Sequence, residues 1–125
     1  MMVEKEVLVK DSEDVEMEKV EKGEHIFIQR LIVDKDDAEN CYLRKFTMKP
    51  GAEMGMHLHD NGEHVQYFLK GKMILKTESE EKVIKEGNTM HIPGGVKHSY
   101  ENPYEEDAVF LCVIPSHGLN TEMLE

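Results

Sequence analysis

Apolar and polar positions alternate in short runs along this chain, and glycine or proline closes most of them. Residues 25–33, 41–48, 64–70, 72–77, 82–85, 89–92, 97–101 and 108–114 each read as a strand. The breaks between them carry turn chemistry: Pro50-Gly51, Gly71, Gly87, Pro93-Gly94-Gly95, Asn102-Pro103 and Pro115. Residues 3–9 predict an edge strand, 11–18 an acidic loop or short turn, 34–37 a polar loop and 119–124 one helical turn. No apolar stripe of helical period runs through the central region. Many short strands at regular spacing predict an all-β sandwich or barrel.

Strand parity states which side chains point together, because residues two apart share a face. His57 and His59 share one, as do His64, Gln66 and Phe68, and His98 and Tyr100. Tyr42, Arg44, Phe46 and Met48 form another set, and Phe110, Cys112 and Ile114 a third. If the histidines face inward, the mouth of the barrel is a mixed polar and apolar pocket of the kind that holds a small molecule.

The 125 residues predict one domain, 1–125, with a core barrel over about 41–115 and an N-terminal arm over about 1–40. The arm is expected to add strands or a homodimer contact, since residues 3–9 and 25–33 would otherwise leave sheet edges open. A formal net charge of −11 opposes binding to nucleic acid or to an anionic membrane surface. The first residues lack the basic start and apolar run of a signal peptide, and no run of about 18 apolar residues occurs. Cys41 and Cys112 stand alone in apolar contexts, which predicts free thiols in a cytoplasmic protein. Charged residues make up 33% of the chain, a level compatible with a thermophilic source.

Histidine changes the picture most. Three of the seven histidines, His57, His59 and His64, crowd eight residues, and His98 follows after further strand-like sequence. Neutral imidazole is the commonest protein metal ligand. The spacing Gly51-x5-His57-x-His59-x4-His64-x6-Gly71 resembles the first motif of the cupin superfamily. Gly87-x5-Pro93-x-Gly95-x2-His98-x3-Asn102 resembles the second at every fixed position. The resemblance implies a jelly-roll-type β-barrel, the double-stranded β-helix. It also implies a metal held by the two leading histidines, a third residue of the first motif and the histidine of the second. That third residue is a glutamate in most cupins. Here the count back from Gly71 reaches His64, whereas burial parity alone favours the alternative ligand Glu63, which would turn Val65, Tyr67 and Leu69 inward. With His64, the chain is similar to the four-histidine subgroup that includes small manganese cupins of thermophilic bacteria. Residues 43–51 and 110–115 resemble that subgroup too.

Four imidazoles suit Mn, Fe, Co, Ni, Cu or Zn, whereas Mg and Ca prefer oxygen. One divalent ion per chain is expected, with Mn or Fe favoured for redox chemistry at open coordination positions. Four neutral ligands leave the ion's charge uncompensated, which favours an anionic substrate. Arg44 is a candidate carboxylate anchor, and Gln66 and Tyr100 are candidate hydrogen-bonding groups. Phe110 and Cys112 are expected to shape the pocket, with Cys112 a buried, inert thiol. Met48, Met54 and Met56 are candidates for its rim. His91 is expected to be structural or next to the site, and His25 and His117 exposed. The leading expectation is a metal-dependent oxidoreductase of dioxygenase type, with no catalytic residue assigned. The alternatives are a metal-bearing binding or sensing module, or an isomerase or lyase using the metal as a Lewis acid.

Overall fold

The computed structural model describes residues 5–124. Ten strands follow one another: β1 (Glu18–Lys19), β2 (Gly23–Ile32), β3 (Cys41–Leu58), β4 (His64–Lys70), β5 (Lys72–Thr77), β6 (Glu81–Lys85), β7 (Thr89–Ile92), β8 (His98–Glu101), β9 (Ala108–Pro115) and β10 (Glu122–Met123). Single 3-10 turns occupy Ser12–Asp14 and Asp34–Asp36. The fold is all-β, a sheet that curls into a jelly-roll-type barrel with strand order β6-β5-β8-β3-β9-β4-β7. All pairings are antiparallel, with β2 and β10 also pairing to β3, and β1 to β2.

β3 departs most from expectation, because Pro50-Gly51 does not end it. The strand runs 18 residues and changes partner at that point. Before it, Cys41 to Met48 pair with β9; after it, Glu53 to His57 pair with β8. Gly51 adopts φ +84°, a left-handed conformation open to glycine, and so turns the strand from its pairing with β9 to its pairing with β8. Asn102 holds the corner. Its side-chain nitrogen donates to the Met48 and Glu106 carbonyls at 2.9 and 2.8 Å, and its main chain exchanges bonds with Gly51 and Ala52. The last fixed position of the second motif is therefore a clasp on the corner, 1% exposed.

Two other expectations fail. Residues 5–9 carry no strand, and residues 3 and 4 lie outside the described residues. Val7 and Val9 are 91% and 86% exposed, so this run has no apolar surface to pack against. Residues 119–124 form no helical turn. Glu122 and Met123 pair instead with Leu58 and His57 of β3, because an available strand edge satisfies more backbone groups than an isolated turn.

Inside the barrel, register stacks side chains in rows. Phe46, Phe110 and Phe68 lie side by side across β3, β9 and β4, with ring centroids 5.3 and 5.9 Å apart. The next row along the same strands is Arg44, Cys112 and Gln66. The interior thus grades from an apolar floor, which includes Met48 and Met73, to a polar upper layer.

Gly71 also has positive φ, at +76°, but a Cβ there would collide with the Asp107 carbonyl oxygen, whereas one on Gly51 meets nothing. Gly51→Ala should cost only the backbone penalty, about 1 kcal/mol. Gly71→Ala should cost roughly 3 kcal/mol or more, because main chain must shift. Urea denaturation of the two variants checks this, and equal losses would contradict it.

Candidate metal centre and its pocket

The upper layer ends in imidazoles. His57 on β3 pairs in register with His98 on β8, and their ring centroids are 4.2 Å apart. His59 follows the end of β3, and His64 opens β4 across the barrel; these two rings lie 4.9 Å apart, edge to face. Donor atoms of His57, His59 and His98 all fall within 4.8 Å of one another. The His64 ring stands 5.3 Å from that of His98, on the inward face it shares with Gln66 and Phe68. Glu63 lies on the outside, exposed, 3.4 Å from His91 Nε2. The more apolar alternate set, Val65, Tyr67 and Leu69, is the exposed one.

Three of the rings are oriented by main chain. Nδ1 of His57, His59 and His98 lies 2.7, 2.9 and 2.8 Å from the carbonyl oxygens of Gly55, Asn120 and Val96. A carbonyl only accepts, so each Nδ1 carries the proton and each Nε2 keeps its lone pair. That is the tautomer a metal-binding histidine requires. Nε2 of His98 and of His64 are buried without a hydrogen-bond partner. Such atoms are costly unless something binds them. The donor set therefore fits a transition metal that accepts nitrogen ligands.

Burial holds all four imidazoles below the usual histidine range, with His98 at about 4 and His64 at about 2. Neighbouring imidazoles and, for His64, Arg44 push the same way. The rings are thus neutral at neutral pH. Burial likewise pushes the Tyr100 phenol well above its usual range, so its hydroxyl stays protonated.

Below the imidazoles lies a polar web. Arg44 Nη2 donates to Cys112 Sγ at 3.2 Å, and the guanidinium stands 5.0 Å from the centroid of Phe46. Arg44 Nε is buried and unpartnered. Gln66 Nε2 reaches Tyr100 Oη at 3.2 Å, and Cys112 Sγ lies 3.5 Å from His64 Nδ1. These groups, with Phe46, Phe110, Met48 and Met54, line an open cavity of about 430 Å³. Met56 is not on its wall. Cys112 is fully buried, whereas Cys41 is exposed. His91, expected to be structural or next to the site, lies on the surface beside Glu63 and does not line the cavity. His25 and His117 are exposed as expected.

Sequence reasoning missed what completes the site. Glu18, Lys19, Lys22 and Arg30 from the arm, together with Thr121, form the mouth. Lys22 Nζ donates to the Thr121 carbonyl at 3.2 Å, joining the two segments. Asn61 fastens the C-terminal segment by donating to the Gly118 carbonyl and accepting from the Asn120 N–H. The Asn-Gly pair at Asn61-Gly62 and the Gly118-Leu119-Asn120 stretch were available signals for a docked turn; main-chain carbonyl partners leave none.

The sign of the pH dependence follows from the lowered histidine pKa values. Folded imidazoles stay neutral while unfolded ones bind protons below about 6.5, so stability is full above that pH and falls as pH drops toward 4. Each contributing histidine loses about 1.4 kcal/mol per pH unit. Thermal melts of metal-free protein between pH 7.5 and 4 should show falling Tm; a flat profile would contradict the burial argument.

Comparison with known proteins places this geometry among relatives. The family model for the cupin domain matches residues 44–114. The oxalate-binding protein of Thermotoga maritima is 30% identical over 70 residues, covering 56% of this chain and 58% of that protein. The chain thus spans less than two thirds of this relative's length. A polyketide cyclase from Streptomyces resistomycificus superposes with TM-score 0.89 at 23% identity, covering 96% of this chain and 87% of that one. A predicted oxalate decarboxylase from Thermotoga maritima does so with TM-score 0.77 at 23% identity, covering 87% and 99%.

Proposed function

We propose a function from one established premise, that the chain belongs to the cupin domain family. In this reading His57, His59, His64 and His98 hold one divalent transition metal, Mn or Fe in preference to Zn, Ni, Co or Cu. The protein is then a metal-dependent oxidoreductase of dioxygenase type acting on a small anionic molecule. The observation that carries the reading is the set of three main-chain-fixed imidazoles with a fourth, unpartnered Nε2 across the barrel. Bound Mn or Fe supplies redox chemistry and concentrated positive charge. The chain's own residues bind and orient. Arg44 anchors a carboxylate, using the Nε–H that has no partner in the protein. The protonated Tyr100 hydroxyl donates a hydrogen bond, and Phe46 and Phe110 wall the cavity against water. At the mouth Arg30 is paired with Glu18 at 3.1 Å and Glu21 accompanies Lys19 and Lys22, so this rim is close to balanced in a chain whose net charge is −11, and the positive charge facing a bound anion is that of Arg44 and the metal.

A second reading is a metal-containing module that binds or senses a small dicarboxylate without turnover. The name of the Thermotoga oxalate-binding relative supports it. Zn as the native metal would favour Lewis-acid isomerase or lyase chemistry instead.

The test starts with metal analysis of protein purified without a metal-affinity tag. The expected result is about one Mn or Fe per chain, lost in His98→Ala. Oxygen uptake with small carboxylates then separates the readings. Arg44→Met should raise KM, or Kd in the binding reading, by roughly 10- to 100-fold, the worth of a lost charge-assisted pair. No metal even after reconstitution would sink both.

Cytoplasmic residence and a homodimer belong to the same proposal. No helix among the described residues is long and apolar enough to cross a membrane, and neither cysteine is in a disulfide. Apolar side chains stay exposed along the arm, at Val7 and Val9, and on the outside of β4, at Val65 and Tyr67. Sedimentation at micromolar concentration should give a dimer; a monomer would remove this part.

A further inference from the structure

We infer that the side-chain amide of Gln66 sets which nitrogen of His64 carries the proton, and so decides whether His64 can join the other histidines around a metal. The inference rests on the reading of His64 as the fourth ligand. His57, His59 and His98 have no choice of tautomer, because each Nδ1 faces a main-chain carbonyl that only accepts. His64 is different. Its Nδ1 lies 3.2 Å from the Gln66 side-chain nitrogen, and a carboxamide nitrogen only donates. In this orientation Nδ1 accepts, the proton sits on Nε2, and Nε2 has no lone pair for a metal.

Two buried atoms are left without partners by that orientation: His64 Nε2 and Gln66 Oε1. Turning the amide by 180° exchanges oxygen and nitrogen with little change of shape. The oxygen then occupies the position now 3.2 Å from His64 Nδ1, 3.2 Å from Tyr100 Oη and 3.7 Å from Cys112 Sγ. All three of those groups can donate to it. The His64 proton moves from Nε2 to Nδ1, the ring stays neutral, and Nε2 gains a lone pair on a ring 4.9 and 5.3 Å from those of His59 and His98. Gln66 is thus a positioning residue acting through His64. It makes the site a fixed three-histidine platform with a fourth ligand that one amide rotation admits or withholds. Gln66 is 6% exposed and spans β4 toward Tyr100 on β8, so its alternatives are these two orientations.

Long-range 1H–15N spectra of labelled protein read histidine tautomers directly, with Zn as a diamagnetic probe. The expected result is Nε2–H on His64 in the metal-free protein and Nδ1–H with Zn, while the other three rings keep Nδ1–H throughout. Gln66→Glu offers only acceptors at this position. It should hold His64 as Nδ1–H without metal and bind Zn at least as tightly as the parent. Gln66→Met removes the hydrogen bond at similar size. It should leave His64 a mixture of tautomers and weaken Zn binding roughly 10- to 100-fold by calorimetry. Identical His64 tautomers in all three metal-free proteins would overturn the inference, as would unchanged Zn affinity in Gln66→Met. Zn that engages His57, His59 and His98 but leaves Nε2–H on His64 in the parent would show instead that the four-ligand reading itself is wrong.

Discussion

One strand belongs to both halves of this barrel, and everything else is placed relative to its bend. β3 pairs with β9 up to Met48 and with β8 from Glu53. A strand can exchange one partner for another at a bend only if its backbone hydrogen bonds are satisfied through the turn. Gly51 supplies the conformation, and Asn102 supplies the donor and acceptors that the ladder drops there. His57 and His98 face each other because the second half of β3 is delivered to β8 by this corner. A weaker clasp would loosen the imidazole pair before it touched the aromatic floor.

The interior is graded along the barrel. Three phenylalanines form one row, an arginine, a thiol and an amide the next, and imidazoles close the end. Such a gradient has a cost, since four imidazoles and a guanidinium are taken largely out of water. The apolar rows beneath provide the burial that offsets it. The same desolvation that would destabilise a bare cluster is what keeps the rings neutral and their lone pairs available. Stability and ligand-binding capacity are opposed within this layer, which is common where function is built into a core.

Much of this was legible from residues alone, and the misses share a cause. β4, β5 and β7 keep the bounds that glycine and proline punctuation and alternation suggested, although β4 and β7 pair with each other across the two strands between them. Motif spacing selected His64 over Glu63 where burial parity pointed the other way; Val65, Tyr67 and Leu69 face outward although they are apolar. Pro50-Gly51 read as an end because a corner and a turn demand the same local conformation, and only the distant partners β8 and β9 distinguish them. Within 119–124, Glu122 and Met123 likewise become a strand through Leu58 and His57, more than sixty positions earlier. Main-chain carbonyls that orient imidazoles carry no residue identity, so no sequence pattern marks them.

The docking of the C-terminal segment has a consequence in time. His57, His59, His64 and His98 are all synthesised before Asn120, whose carbonyl fixes the His59 proton, and before Glu122 and Met123, which pair beside His57. A nascent chain emerging from the ribosome therefore exposes every candidate imidazole while one still lacks its orienting partner. Loops closed over such sequence separations form late. The layout separates the appearance of the histidines along the chain from the completion of the pocket around them.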